Sequence, residues 1–144
     1  MPKTPVLFAH VDARGVTGDR QANLVHHGGP DRAVCLFALE RIEALRAEGH
    51  PIVPGAIGEN LTIRGLDWNV IAPGVRLRVG NELELEVTSF AAPCKTIRGA
   101  LANGHFNRLS QKQHPGWSRV YARVLVEGEI QPGDRITVVE TPSP

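Results

Sequence analysis

Cys94 stands in the setting that a reactive or metal-binding thiol needs. It follows Pro93, a short helix is expected to start at or near it, and Lys95 and Arg98 come one and four residues on. Helix N-terminal amides and nearby cations stabilise thiolate over thiol, which suits a soft metal ligand or a nucleophile. A buried free cysteine acting as a small apolar side chain is the alternative. His26 and His27 precede Gly28-Gly29, where backbone can approach a substrate closely, and Asp31 and Arg32 could pair locally. The other reading of this stretch is a hairpin-like turn in which one histidine bonds backbone carbonyls. Gly55, Gly58, Glu59 and Asn60 form a comparable loop, where the Asn60 amide could donate to and accept from a polar heterocycle. Cys35 differs: it lies inside the apolar run Ala33-Val-Cys-Leu-Phe-Ala-Leu39 and is expected in the core.

Other chemistries lack their patterns. No CxxC or HExxH occurs, and His105 and His114 are nine residues apart in an irregular segment, so structural zinc is not expected. There is no GxGxxG or Walker loop for a nucleotide. A Cys–His hydrolase built on Cys94 would find nothing in the sequence to select among six histidines. The net charge of +1 is too small to create the phosphate-attracting field of a dedicated nucleic-acid binder. The longest apolar run, residues 33–39, falls far short of the about 20 residues that span a bilayer. The first residues lack the apolar stretch of a signal peptide, and the two cysteines form no closely spaced framework. A cytoplasmic protein with free thiols is expected, with no membrane and no nucleic-acid partner.

The elements that must position these residues are short. In 144 residues there are 15 glycines and 11 prolines, which favours many turns, while 42 % hydrophobic content can bury a core without staples. Strands are expected at residues 6–11 and near 21–25, with residues 26–32 as a loop. Leu39, Ile42 and Leu45 recur among charged residues before Gly49 and Pro51, which predicts an amphipathic helix. Residues 54–60 form a glycine-punctuated loop before a short strand at 61–63. From Val75 to Val87 the pattern has period two, with Arg76 and Arg78 before the Gly80-Asn81 turn and Glu82, Glu84 and Glu86 after it. A hairpin with Arg and Glu facing each other across its exposed side follows. Residues 92–101 read as a loop entering a short helix, 106–112 as a second helical turn, 117–127 as a strand, 128–134 as a turn and 135–140 as the last strand. Seven or so short strands with no repeated βαβ unit give a mainly β fold: a closed or partly closed β-barrel with a few short helices.

Four stretches, His27-Gly-Gly-Pro-Asp-Arg-Ala-Val34, Pro54-Gly-Ala-Ile-Gly-Glu-Asn-Leu-Thr62, Ala92-Pro-Cys-Lys95 and Gly128-Glu-Ile-Gln-Pro-Gly-Asp134, occur in the order seen in the MOSC domain, which the chain resembles. The resemblance covers nearly the whole chain and is nearest to the small stand-alone bacterial members. It implies a single MOSC-like domain over residues 1–144 with its core at about 6–140, and a compact barrel of the kind reached from the strands.

The resemblance further implies that Cys94 is the thiolate that binds molybdenum of the molybdenum cofactor (molybdopterin), or carries sulfur as in sulfurase relatives. Asn60 would help hold the pterin or its phosphate, and His27, Asp31 and Arg32 would line the same site. Lys95 and Arg98 join the set as cations near an anionic dithiolene and phosphate. Relatives with additional segments imply a site that is open here or completed by a partner's surface. The activity implied is reduction of small N-hydroxylated substrates with electrons from a separate reductase. A non-catalytic sulfur carrier or cofactor-docking module, with a persulfide on Cys94 and a sulfur donor as partner, is the second expectation, and a cofactor-free barrel the third. Pyridoxal phosphate is not expected.

Overall fold

The computed structural model describes residues 9–16, 30–93 and 95–140. The strand expected at residues 6–11 is described from its ninth residue: β1 (Ala9–Asp12) pairs antiparallel with β2 (Gly15–Val16), with Ala9 and Val11 turned inward. The strand expected near 21–25 and the first part of the following glycine loop lie outside the described residues. A 3-10 turn, Pro30–Arg32, leads into β3 (Val34–Ala38), which is buried along its whole length.

The helix appears where the three-residue spacing puts it. α1 (Leu39–Ala47) buries Ile42 and Leu45. It ends in two backbone bonds, Gly49 N–H to the Arg46 carbonyl at 2.9 Å and His50 N–H to the Leu45 carbonyl at 3.1 Å. This closure needs a left-handed residue after the helix, and Gly49, at φ 101°, supplies it without steric cost. The chain returns to β4 (Leu61–Ile63), which runs parallel to β3 with Leu36 opposite Leu61. One β–α–β crossover is therefore present, where the sequence led to the expectation only that no such unit repeats.

β5 (Arg76–Val79) and β6 (Leu83–Phe90) make the expected hairpin, with Leu77, Leu83, Leu85 and Val87 inward. On its other face Arg76 stands opposite Glu86 and Arg78 opposite Glu84, with N–O distances of 3.2 and 3.7 Å. Burial opposes ionisation of Glu86, but hydrogen bonds from Arg76 and Arg123 outweigh it and hold its pKa below the ordinary carboxylate value. Half-exposed pairs of this kind contribute about 0–1 kcal/mol each. At the turn, a Cβ on Gly80 would lie 2.8 Å from Oδ2 of Asp134, so glycine is what allows the last turn to close against the hairpin.

β7 (Val120–Val126) and β9 (Ile136–Glu140) complete a six-stranded mixed sheet in the order β4-β3-β7-β6-β5-β9. Residues 128–134 are more than the expected turn: their first part is β8 (Gly128–Ile130), which leaves the large sheet and pairs with β1 in the order β2-β1-β8. Both sheets feed one core, in which Val11 and Ile130 meet Leu36, Phe37, Leu85 and Val120. Edge strands β4 and β9 have no ladder between them, so the barrel is partly closed. The helix expected from residue 94 is a 3-10 helix, Lys95–Ala100, and the later helical turn, Phe106–Leu109, is also 3-10. Ile97, Leu101 and Leu109 anchor this excursion between β6 and β7 to the core. Among the described residues no helix is long and apolar enough to cross a membrane.

Candidate functional site

Three segments singled out in the sequence meet around one cross-strand pair. Cys35 on β3 stands opposite Tyr121 on β7, each 6 % exposed, and with Ala91 they form a small buried cluster separate from the main core. Cys35 is thus buried as expected, but in this satellite. Asn60, immediately before β4, grips its peptide: Asn60 Oδ1 accepts from Cys35 N–H at 2.7 Å, and Asn60 N–H donates to the Cys35 carbonyl at 2.8 Å. The side-chain oxygen stands where a neighbouring strand would offer a carbonyl. Because the single amide proton of Cys35 goes to Asn60, the Cys35–Tyr121 pair is of the non-hydrogen-bonded kind, in which side chains come closest.

Arg32 reaches the same pair from the glycine loop. Its guanidinium carbon lies 5.2 Å from the centroid of the Tyr121 ring, a cation–π distance. Asp31 is exposed, and its backbone carbonyl accepts from the Thr88 hydroxyl, which also bonds the Tyr121 carbonyl at 3.2 Å. Thr88 sits where the β6–β7 register shifts between Val87 and Ser89. A bulge of this kind turns a side chain out of the ladder and aims it, here into the site.

Arg119, which the sequence did not single out, and Glu59, expected only as a member of the 54–60 loop, are buried beside this cluster. Arg119 is 4 % exposed and Glu59 2 %. The Arg119 guanidinium donates from Nη1 to the Ile57 carbonyl at 3.0 Å and from Nη2 to the Ala92 carbonyl at 3.3 Å. Glu59 Oε2 accepts from the Thr62 hydroxyl at 3.0 Å. Burial raises the Glu59 pKa above its ordinary value, against the pull of the Gly55 and Glu59 backbone amides, Thr62 and the Arg119 charge. The period-two pattern of residues 117–127 does put Arg119 and Tyr121 on one face. Nothing in that pattern marks the face as buried at Arg119.

Of the expected site residues, the structure brings Asn60, Arg32 and Asp31 together, and Ala91 joins them three residues before Cys94 in the chain. Cys94, His26 and His27 lie outside the described residues, as do the side chains of Lys95 and Arg98, whose backbones form the 3-10 helix. The motif at residues 128–134 is a brace: Asp134 Oδ2 accepts from Gln131 N–H at 2.9 Å, and Gly80 N–H donates to the Arg135 carbonyl at 2.8 Å. His105 and His114, nine residues apart in sequence, share an open cleft of about 300 Å³ with Arg108. The Arg108 fork is taken by Glu48, at 3.0 and 2.7 Å, and Arg108 and Arg41 stack on Trp117 at 4.0 and 4.7 Å. None of the residues lining this cleft belongs to the cluster around Tyr121.

Among the described residues no group of three His, Cys, Asp or Glu could hold a metal ion. What the cluster offers is a cation over an aromatic ring, a fixed amide, a buried arginine and a buried acid.

Comparison with known proteins agrees with this architecture. The protein YflK of Bacillus subtilis (strain 168) is 34 % identical over 123 residues, 85 % of this chain and 54 % of that protein. A Gibberella moniliformis protein named Reductase is 31 % identical over 137 residues, 92 % of this chain and 24 % of that one. The chain therefore spans about half or less of these relatives. The crystal structure of YiiM from Escherichia coli shares the fold, with a TM-score of 0.73 at 23 % identity over 95 % of this chain and 64 % of that one. The family model for the MOSC domain matches residues 23–137, a stretch that contains every segment meeting at the Cys35–Tyr121 pair, and the chain belongs to the MOSC domain family.

Proposed function

We propose that this protein holds the molybdenum cofactor and reduces the N–O bond of N-hydroxylated compounds, using electrons from a separate reductase. The observation that carries this reading is the meeting of Arg32, Asn60 and Ala91 around one buried pair, because the chain runs from there through Pro93 into Cys94. Cys94 supplies the thiolate to molybdenum and is the catalytic anchor. Asn60, His27, Asp31, Arg32, Lys95 and Arg98 bind the cofactor. The donor set fits: a pterin dithiolene brings its own sulfurs, so one protein thiolate suffices and a three-ligand cluster is not required. When bound, the cofactor supplies a two-electron centre that accepts oxygen from nitrogen.

The chain's own contribution is binding and order. Arg32, Lys95 and Arg98 would supply the positive charge that an anionic dithiolene and phosphate need. Asn60 holds the floor of the site through its bonds to Cys35. In the net reaction the hydroxylated nitrogen gains two electrons and two protons and releases water. These 144 residues carry no flavin or haem motif, and in this reading a separate reductase supplies the electrons. Similarity to a segment of a protein named Reductase supports the redox class. In this reading residues 6–140 form one catalytic domain working in the cytoplasm, where Cys94 stays reduced.

The test is metal and pterin analysis of protein from a host that makes the cofactor, beside Cys94→Ala, followed by an N–O reduction assay. Near-stoichiometric molybdenum, lost with activity in the variant, is expected. Molybdenum retained by Cys94→Ala would sink the ligand assignment. No molybdenum in either protein, from a host shown to load a control enzyme, together with one added sulfur on Cys94 after exposure to a desulfurase, would instead establish sulfur carriage.

A further inference from the structure

Arg119 is an expensive residue where it stands. A charged side chain is almost never this buried without pairing, and an apolar residue of similar size is often the more stable choice. Its hydrogen bonds say what it does instead. One planar fork reaches the Ile57 carbonyl, in the loop that ends at Glu59 and Asn60, and the Ala92 carbonyl, two residues before Cys94. Its backbone carbonyl also accepts from Ala91 N–H at 2.9 Å. The base of the fork is itself anchored: the Ser118 hydroxyl donates to the Ala91 carbonyl, and Trp68 Nε1 donates to the Ser118 carbonyl at 2.9 Å. Among the described residues Arg119 Nε and Glu59 Oε1 find no hydrogen-bond partner. That cost is unexplained by packing and is the mark of charged groups retained for a site.

We propose that Arg119 is the positioning residue of this site, a buried staple that sets the spacing between the Asn60 loop and the segment entering Cys94. The proposal rests on the cofactor reading only for what the two loops hold; the staple itself is a property of the metal-free chain. Guanidinium geometry is essential, because its two terminal nitrogens are fixed in one plane and reach two carbonyls at once, whereas a lysine ammonium on a flexible stem fixes no such spacing. Arg119 touches neither metal nor substrate in this role.

The experiment is hydrogen exchange of metal-free wild type, Arg119→Lys and Arg119→Met, the last also combined with Glu59→Gln so that no lone acid is left behind. Amides of residues 55–60 and of Ala91 and Ala92 are expected to exchange about tenfold faster in Arg119→Met and by a smaller factor in Arg119→Lys, while β5–β6 amides keep their protection. Molybdenum–pterin release from loaded protein should accelerate in the same order. Exchange that rises uniformly over the molecule, or in neither loop, overturns the staple. So does a loosened pair of loops that still holds cofactor as long as wild type. Loops loosened in a protein that never binds molybdenum would leave the staple standing and sink the cofactor reading alone.

Discussion

Replacing Asn60 by alanine separates what this residue does for the fold from what it does for a ligand. The Cys35 amide lies in a strand residue only 6 % exposed, and its proton goes to Asn60 Oδ1 at 2.7 Å. Alanine removes that acceptor and offers no substitute. A buried donor left unsatisfied costs about 1–3 kcal/mol, and the short asparagine side chain adds little packing to the loss. With a urea slope of about 1–3 kcal/mol per molar, the unfolding midpoint should fall by roughly 1 M. Asn60→Asp keeps an oxygen at the same place, where a carboxylate accepts from the amide at least as strongly. It should retain more than half of the stability that Asn60→Ala loses. Urea unfolding followed by intrinsic fluorescence measures both variants. Asn60→Ala within about 0.5 kcal/mol of wild type, the scatter of ordinary surface substitutions, would refute the view that Asn60 completes the β3 ladder. If Asn60→Asp is stable but loses molybdenum, the side-chain N–H₂ donor is what the cofactor needs.

Burial holds the Glu59 pKa above its ordinary 4.5, so the folded chain keeps a proton that the unfolded chain gives up. The stabilisation from protonated Glu59 is complete below pH 4.5 and is lost as pH rises through the folded pKa. Glu59→Gln should flatten that fall, whose limiting slope for one proton is about 1.4 kcal/mol per pH unit, and a stability–pH profile identical to wild type would contradict it. Trp117→Leu removes the ring on which Arg41 and Arg108 stack and should cost about 1–3 kcal/mol in urea unfolding; no loss would mean the two guanidinium groups are held by Gly116, Asn69 and Glu48 alone. Ile42→Ala opens a cavity under α1 and should cost about 2–5 kcal/mol by calorimetry, whereas a loss below about 1 kcal/mol would mean the helix is not seated on the core.

The parts of the fold legible in the sequence are those in which local chemistry and burial agree. The period-two run around Gly80-Asn81 could only be a hairpin, and Ile42 with Leu45 could only be the inner face of a helix stopped at Gly49. β4 and β8 are three residues each, too short for a period to define their partners, so the parallel crossover and the change of sheet at residue 127 came from tertiary pairing alone. The site divides along the same line. Its loops announce themselves because glycine, proline and asparagine mark special backbone whatever they face. The groups that join the loops do not. Asn60 acts as a surrogate strand carbonyl, a role its side chain shares with any turn asparagine, and Arg119 falls in a strand pattern where an arginine reads as solvated surface. A buried charge is recognised by its partners, and the partners of Arg119 are two backbone carbonyls, which belong to every residue and so leave no trace in residue type.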